Sequence, residues 1–257
     1  MDYLIPRPIV EGSPQVFTYL VNGERVFVKK RRPAKNPLAW MMQRILYRLT
    51  GFLLILPPER PARNNVHYEA GVLRRLAGLG VRVPRVLYIT DEYFVMSDAG
   101  RCLEVELREN PSMARHYIEK AARELRAFHD RGMAHGGAQI KNFTVCDGEI
   151  CFIDFEESIP EGHLKKFMLR DLFLFIFSLQ RTGHDPDLRD ICAIYDNGEV
   201  RDTLEQVRRS LMQLRPVRLF KWSIFDRFSM RDVRSLIHLV DKADRLGRGD
   251  VDDGREG

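Results

Sequence analysis

His135-Gly136-Gly137-Ala138-Gln139-Ile140-Lys141-Asn142 and, a short hairpin later, Ile153-Asp154-Phe155-Glu156 are the two pieces of this chain that decide its fold. Between them, Phe143–Val145 and Ile150–Ile153 read as strands joined at Asp147-Gly148, a tight two-residue turn. Asn142 then opens one strand and Asp154 follows the other, which brings an amide oxygen and a carboxylate to one end of the hairpin. Two hard oxygen ligands suit Mg²⁺, which takes few protein ligands and completes its shell with phosphate oxygens and water. The plainer alternative makes Asp154 a strand-end turn carboxylate. His135 in such a loop is expected to bond backbone beside the metal-binding segment.

Outward from this hairpin the chain divides unevenly. Upstream, Val16–Leu20 and Arg25–Val28 form a hairpin around Asn22-Gly23. Val72, Leu73, Leu76 and Leu79 recur at helical spacing between Val66 and Gly80, and Arg85–Ile89 and Tyr93–Met96 follow as strands. Beyond a connector at Ser97–Gly100 the pattern turns helical. Met113–Arg131 is amphipathic, Leu169–Gln180 is apolar nearly all round and so buried, and Arg189–Leu214 and Arg231–Leu246 complete the series. The expectation is one α+β domain over 1–257 with two lobes. Residues 1–96 form a small β-rich lobe with an insertion at 36–57, 97–246 a mostly helical lobe, and 247–257 a disordered tail. A cleft between the lobes is the natural ligand site.

The first lobe carries chemistry of its own. Val26-Phe27-Val28-Lys29 resembles the V-A-I-K strand whose lysine binds phosphates. Lys30 is the alternative, one register step away and on the opposite face. Glu69, early in the following helix, could pair with Lys29 and hold the ammonium toward a nucleotide's α- and β-phosphates. Met96, Ser97 and Ala99 in the connector could offer backbone groups to adenine. Only Gly12 with Ser13 precedes the first strand, a poor substitute for a G-x-G-x-x-G phosphate loop.

In protein kinases the catalytic loop reads H-R-D-L-x-x-x-N, followed by D-F-G. Aligned on His135 and Asn142, this chain has Gly137 where the catalytic aspartate belongs. Taken with Lys29, Glu69 and Arg170-Asp171-Leu172, the chain resembles the lipopolysaccharide core kinases and the atypical small protein kinases, over roughly Val16 to Val240. The resemblance implies ATP, Mg²⁺ and transfer of the γ-phosphate to the hydroxyl of a core sugar or glycolipid, or of a protein. It implies Lys29, His135, Asn142 and Asp154 as the catalytic set, with Asn142 and Asp154 on the metal. It gives Asp171 a structural role at the start of a buried helix, bonding the catalytic loop. Gly137 counts against full activity, because general base catalysis is typically worth about 10²–10⁴-fold. Phosphoryl transfer, however, depends mainly on positioning and electrostatics. His135, Gln139 or Glu156 could serve as acceptors instead, and a pseudokinase that only binds is the competing reading.

Composition narrows the rest. The chain has 257 residues, 44% hydrophobic and 30% charged, in the range of a soluble globular protein. Met1-Asp2-Tyr3-Leu4 lacks a basic and then apolar leader, so no signal peptide and a cytoplasmic location are expected. Four cysteines without metal spacing read as reduced thiols. The net charge of +5 comes with no nucleic-acid motif, and it fits an anionic membrane surface or a phosphorylated ligand better. The densest basic cluster is Lys29-Lys30-Arg31-Arg32, with Lys35 beyond. After it, Leu38, Met41, Met42, Ile45, Leu46 and Leu49 make an apolar stripe opposite Gln43, Arg44, Tyr47 and Arg48. Phe52–Leu56 then runs to the break at Pro57-Pro58. Arg44, Arg48 and Gly51 argue against a membrane-spanning helix. An interfacial helix with Trp40 in the headgroup layer is the expectation, peripheral on the inner membrane face through 29–57. A helix packed on its own lobe is the alternative.

Overall fold

Period-two alternation in one strand sets the architecture of the small lobe. Val16–Val21 (β1) and Glu24–Lys30 (β2) pair antiparallel with Val21 opposite Glu24. Asn22 (φ +52°) and Gly23 (φ +83°) supply the two left-handed residues that such a turn needs. In β2, Val26, Val28 and Lys30 share one face, and Phe27 and Lys29 the other. The valines enter an apolar cluster with Ile5, Val10, Val21, Tyr93 and Val95. Lys30, on that same face, reaches a short helix, Arg7–Gly12 (α1), and donates to the carbonyls of Val10 at 2.7 Å and Ser13 at 2.8 Å. Lys29 is therefore left to face the other side.

The computed structural model describes residues 3–31, 37–50, 56–58, 66–195, 203–213 and 230–248. Helix α2 runs Pro37–Thr50 and helix α3 Val66–Gly78. Strands β3 (Val86–Ile89) and β4 (Tyr93–Ser97) complete a four-stranded antiparallel sheet of order β1-β2-β4-β3. Helix α3 lays Val66, Ala70, Leu73 and Leu76 in a core shared with Phe94 and with the second lobe, so one apolar core runs under both.

The second lobe opens with β5 (Arg101–Cys102), which pairs with β6 (Phe143–Cys146), which pairs in turn with β7 (Glu149–Phe152). Around this small sheet lie α4 (Leu103–Glu109), α5 (Ala114–Asp130), α6 (Leu164–Arg181), α7 (Leu188–Tyr195), α8 (Thr203–Met212) and α9 (Met230–Arg248). Helix α6 buries ten of its residues, as its all-round apolar sequence requires. The fold is α+β, with an antiparallel small lobe and a mostly helical remainder.

Some sequence expectations shift. The helix read over Arg189–Leu214 is two described pieces, α7 and α8, with 196–202 outside the described residues. Helices α1 and α4 carry too few residues to announce themselves by periodicity. Asn142 lies in a one-turn 3-10 helix, Ile140–Asn142, immediately before β6 rather than within it. Helix α9 extends through Gly247 and Arg248; the rest of the expected tail, Arg32, Lys35 and the apolar run through Ile55 lie outside the described residues.

Helix α2 departs most. It docks through Trp40, whose Nε1 donates to the Pro58 carbonyl at 3.1 Å, and Gln43, whose Nε2 donates to the Leu56 carbonyl at 3.3 Å. Leu56 is buried with Ala134 and Phe167, and Tyr47 packs against that cluster. Trp40, expected to face lipid, is thus turned onto the protein's own chain. No helix among the described residues is long and apolar enough to cross a membrane.

The connector between lobes is held by a close backbone approach. Gly100 sits at φ +88°, and a Cβ there would lie 2.1 Å from the Val145 carbonyl oxygen, with no side chain free to move aside. Gly100→Ala should therefore cost at least about 2 kcal/mol, from left-handed strain plus a backbone clash. Urea denaturation checks this: a variant as stable as wild type would show that the connector can move away from β6.

Candidate functional site

Lys29 crosses the gap between the lobes. Its Nζ lies 2.9 and 2.7 Å from the two carboxylate oxygens of Glu69 on α3, and 2.5 Å from Asp154 Oδ1 just past β7. Glu156 Oε1 lies 3.2 Å from the same nitrogen. The lysine is only 4% exposed. Burial alone would lower the ammonium's pKa, but the carboxylates of Glu69 and Asp154 reverse this and hold it charged well above its ordinary range. Glu69 is the most enclosed of the three acids. Burial pushes its carboxyl up to about 7, against the pull of Lys29 and with help from the like charges of Asp154 and Glu156. One ammonium cannot neutralise three carboxylates, and the most buried of them holds its proton most easily. Glu69, Asp154 and Glu156 also bring ligand oxygens within 4.8 Å of one another, close enough to share a cation.

Asp154 is held in an uncommon backbone state, φ +70°. Among the described residues, the other non-glycine residues of positive φ, Asn22 and Asp147, sit in hairpin turns beside glycine. Asp154 has no such turn to justify it, and such strain of about 1–2 kcal/mol is typical of functional positions.

The loop from His135 to Asn142 has little regular structure, so its polar groups need other partners. Asp171 on α6, fully buried, accepts from the backbone N–H groups of His135 at 2.6 Å, Gly136 at 3.1 Å and Ala138 at 3.2 Å. Burial works to raise its carboxyl's pKa, but the His129 imidazole 3.4 Å away, His135 and the backbone donors pull it below the usual value. Arg170 donates to the Gly136 carbonyl at 2.6 Å and forms an ion pair with Glu157. Ser178 Oγ accepts from the Ile140 N–H at 2.9 Å. The whole loop is thus fastened to one face of α6.

Within it, His135 stacks on Phe155 with ring centroids 4.3 Å apart, and its Nε2 lies 2.9 Å from the Ile153 carbonyl. A carbonyl can only accept, so Nε2 is the donor here and Nδ1 is the ring nitrogen left for other partners. That Nδ1 is buried without a hydrogen-bond partner. Asn142 donates through Nδ2 to the Gly137 carbonyl at 2.8 Å, which leaves Oδ1 as its ligand-capable atom. Gly136 needs its hydrogen: it has φ +84°, and a Cβ would meet the Glu157 side chain at 3.0 Å. Gly137 does not. Its φ is not left-handed, and a Cβ would come no closer than 3.9 Å to Asn142 Nδ2 and 4.0 Å to His135 Nδ1. No backbone requirement explains why the carboxylate is missing there.

The connector is less open than its sequence suggested. The Ser97 N–H donates to the Arg85 carbonyl and its Oγ accepts from the Arg85 N–H, both at 2.9 Å. The Ala99 carbonyl receives the Thr144 hydroxyl at 2.5 Å, and Met96 pairs with Phe27 and Val86 in the sheet. Gly12 ends α1, while the β1–β2 tip is only Asn22-Gly23. Structure therefore gathers Lys29, Glu69 and Asp154 into one cluster and sets His135 and Asn142 at the two ends of the loop. It commits several backbone groups at Ser97 and Ala99 to the fold. Sequence reasoning missed Glu156 on Lys29 and the Arg170–Glu157 pair. The first was legible in principle, because residues two apart on an extended segment share a side. The second had no local signal.

Comparison with known proteins places this arrangement. The RIO domain matches residues 58–191, just over half of the chain, from before α3 into α7. An uncharacterized protein of Haemophilus influenzae is 28% identical over 137 residues, covering 52% of this chain and 56% of its own length. The RIO-type serine/threonine-protein kinase Rio1 of Haloferax volcanii is 29% identical over 130 residues, covering 48% of this chain and 44% of its own. The chain spans about half the length of the curated relatives it matches. With a kinase-like site bracketed by Glu69 and Asp171 inside the matched region, the chain belongs to the RIO-domain family.

Proposed function

We propose that this chain is an ATP- and Mg²⁺-dependent phosphotransferase of the atypical serine/threonine kinase type, acting on a protein hydroxyl. The observation that carries the reading is Lys29 bridging Glu69 on α3 and Asp154 beside β7, a pairing of both lobes around one buried ammonium. The residues fit the nucleotide–metal group they would hold. Lys29 would neutralise phosphate oxygens, and the Asp154 carboxylate and Asn142 Oδ1 are hard donors suited to Mg²⁺. The metal, when bound, screens charge that builds on the transferring phosphoryl group. Glu69 orients Lys29, Asp171 fixes the backbone of the loop, and His135 positions Ile153 and hence Asp154.

No carboxylate at 137 takes the acceptor's proton. Transfer through a loose transition state gains most of its rate from alignment and charge, so the remaining residues suffice for slow turnover. His135 Nδ1, beside the place a residue-137 side chain would occupy, is a basic atom in that neighbourhood. Two further readings rest on particular observations. A sugar hydroxyl of lipopolysaccharide core is the second acceptor, favoured by the outward apolar stripe of α2, which would bring the enzyme to a lipid surface. A nucleotide-binding pseudokinase is favoured by Gly137 itself.

Asp154→Asn is the diagnostic variant. Asn tolerates the left-handed backbone, and Lys29 keeps Glu69 and Glu156. Calorimetric titration should show Mg²⁺-dependent ATP binding to wild type, weakened at least about tenfold in Asp154→Asn, with Tm nearly unchanged. Equal binding and equal phosphate incorporation by the two proteins would sink the proposal. Lys29→Met is the poorer test, since three carboxylates left without their ammonium would cost about 3 kcal/mol or more of stability.

Gly137→Asp separates the enzyme from the pseudokinase. It should fold as wild type does, because nothing lies within 3.9 Å of the added Cβ. Radiolabelled phosphate transfer to protein should be measurable in wild type and rise in the variant, by up to the roughly 10²–10⁴-fold that a general base supplies. Transfer that appears only in Gly137→Asp would establish the pseudokinase instead.

A further inference from the structure

Helix α2 wears its amphipathicity inside out. At about 100° per residue, Trp40, Gln43 and Tyr47 share one face, and Leu38, Met41, Met42 and Ile45 share the opposite one. The first group is the docked face, bonded to Pro58 and Leu56 and packed beside Phe167. The second is left to solvent: Leu38 is 58% exposed, Met41 48%, Met42 56% and Ile45 44%. A surface helix that kept only its own fold in view would bury the leucine, methionine and isoleucine side chains and turn its glutamine outward. Contiguous exposed apolar area of this kind marks an interaction face.

Charge identifies what the face meets. Helix α2 contains no aspartate or glutamate. Arg44 and Arg48, both exposed, line one edge of the stripe, and Arg44 is kept there by its guanidinium lying 4.7 Å from the Trp40 ring centroid. The result is an apolar strip with Arg44 and Arg48 along one edge and no anion on its own helix. That pattern fits the headgroup boundary of an anionic bilayer: methionine, leucine and isoleucine enter the acyl edge while arginines stay at the phosphates. A protein partner's groove would instead demand anions placed one by one against these cations.

We propose that α2 is an interfacial anchor that holds this protein flat against an anionic lipid surface through Leu38, Met41, Met42 and Ile45, with Arg44 and Arg48 on phosphates. The anchor does not depend on phosphotransfer, and it would stand if the site proved only to bind nucleotide.

Co-sedimentation of the full chain with vesicles tests it. Phosphatidylcholine vesicles containing phosphatidylglycerol should carry the protein down, and pure phosphatidylcholine vesicles should not. Met41→Asp with Ile45→Asp removes two insertions from an exposed face and should reduce partitioning about a hundredfold or more. Arg44→Gln and Arg48→Gln should each weaken it about fivefold. Mg²⁺-ATP titration and Tm of these variants should match wild type, which separates loss of the anchor from loss of the fold or the nucleotide site. Three results overturn the proposal: no partitioning onto anionic vesicles, equal partitioning of wild type and Met41→Asp/Ile45→Asp, or a concentration-dependent dimer abolished by the same substitutions.

Discussion

One ammonium among three carboxylates is the constraint on which the rest of this structure depends. Lys29 lies 2.7 Å from Glu69, 2.5 Å from Asp154 and 3.2 Å from Glu156, drawing groups from β2, α3 and the segment after β7 to one point. As a stabilising device this is a poor investment, because desolvating that many charges offsets most of their attraction. The cluster makes sense as a receptor. With Lys29 charged and any two of the acids ionised, the cluster is net negative, and a polyphosphate would be repelled from it without a cation. On the proposed function, a divalent ion would satisfy carboxylates and leave the lysine to phosphate oxygens. Coupling of metal and nucleotide would then follow from this count of charges.

The second lobe solves a different problem, that of fixing an irregular loop. From Ala134 to Asn142 the backbone cannot satisfy itself, and α6 supplies what is lacking. Asp171 takes three N–H groups, Arg170 one carbonyl, and Ser178 one further N–H. None of these partners is the side chain at position 137. Loss of the carboxylate there removes a chemical group without removing a structural one, so the loop keeps its shape. That independence explains how a chain with Gly137 retains buried His135, Asn142 and Asp171 in their places. It also makes Gly137 a statement about chemistry alone, whereas Gly136, pressed against Glu157, is a statement about space.

Legibility in the sequence followed the range of the forces involved. Both hairpins could be read because Asn22-Gly23 and Asp147-Gly148 specify left-handed turns within two residues. The choice between Lys29 and Lys30 was a register question, and alternation with buried Val26 and Val28 carries its physical answer. Helix α6 was legible from apolarity and α5 from periodicity. What escaped were contacts across long separations. Thr144 bonding the Ala99 carbonyl connects residues that have no sequence relation. So does Glu157 with Arg170. Short helices such as α4 escaped for another reason: seven residues hold too few turns for a period to emerge.

Helix α2 shows how a correct local reading can mislead about orientation. Its stripe was visible in the sequence, but which face would be buried was not, since amphipathicity gives two faces and no direction. Direction comes from Leu56, buried against Ala134 and Phe167 in the second lobe. The insertion leaves the small lobe in sequence and is pinned to the large lobe in space, next to the residue that precedes His135. Its outward stripe consequently has a fixed relation to the catalytic loop instead of hanging from a flexible arm. If the proposed anchor and the proposed transfer both hold, a hydroxyl acceptor in that surface would reach the His135–Asn142 loop from one side only, because the docking of α2 fixes the direction of approach.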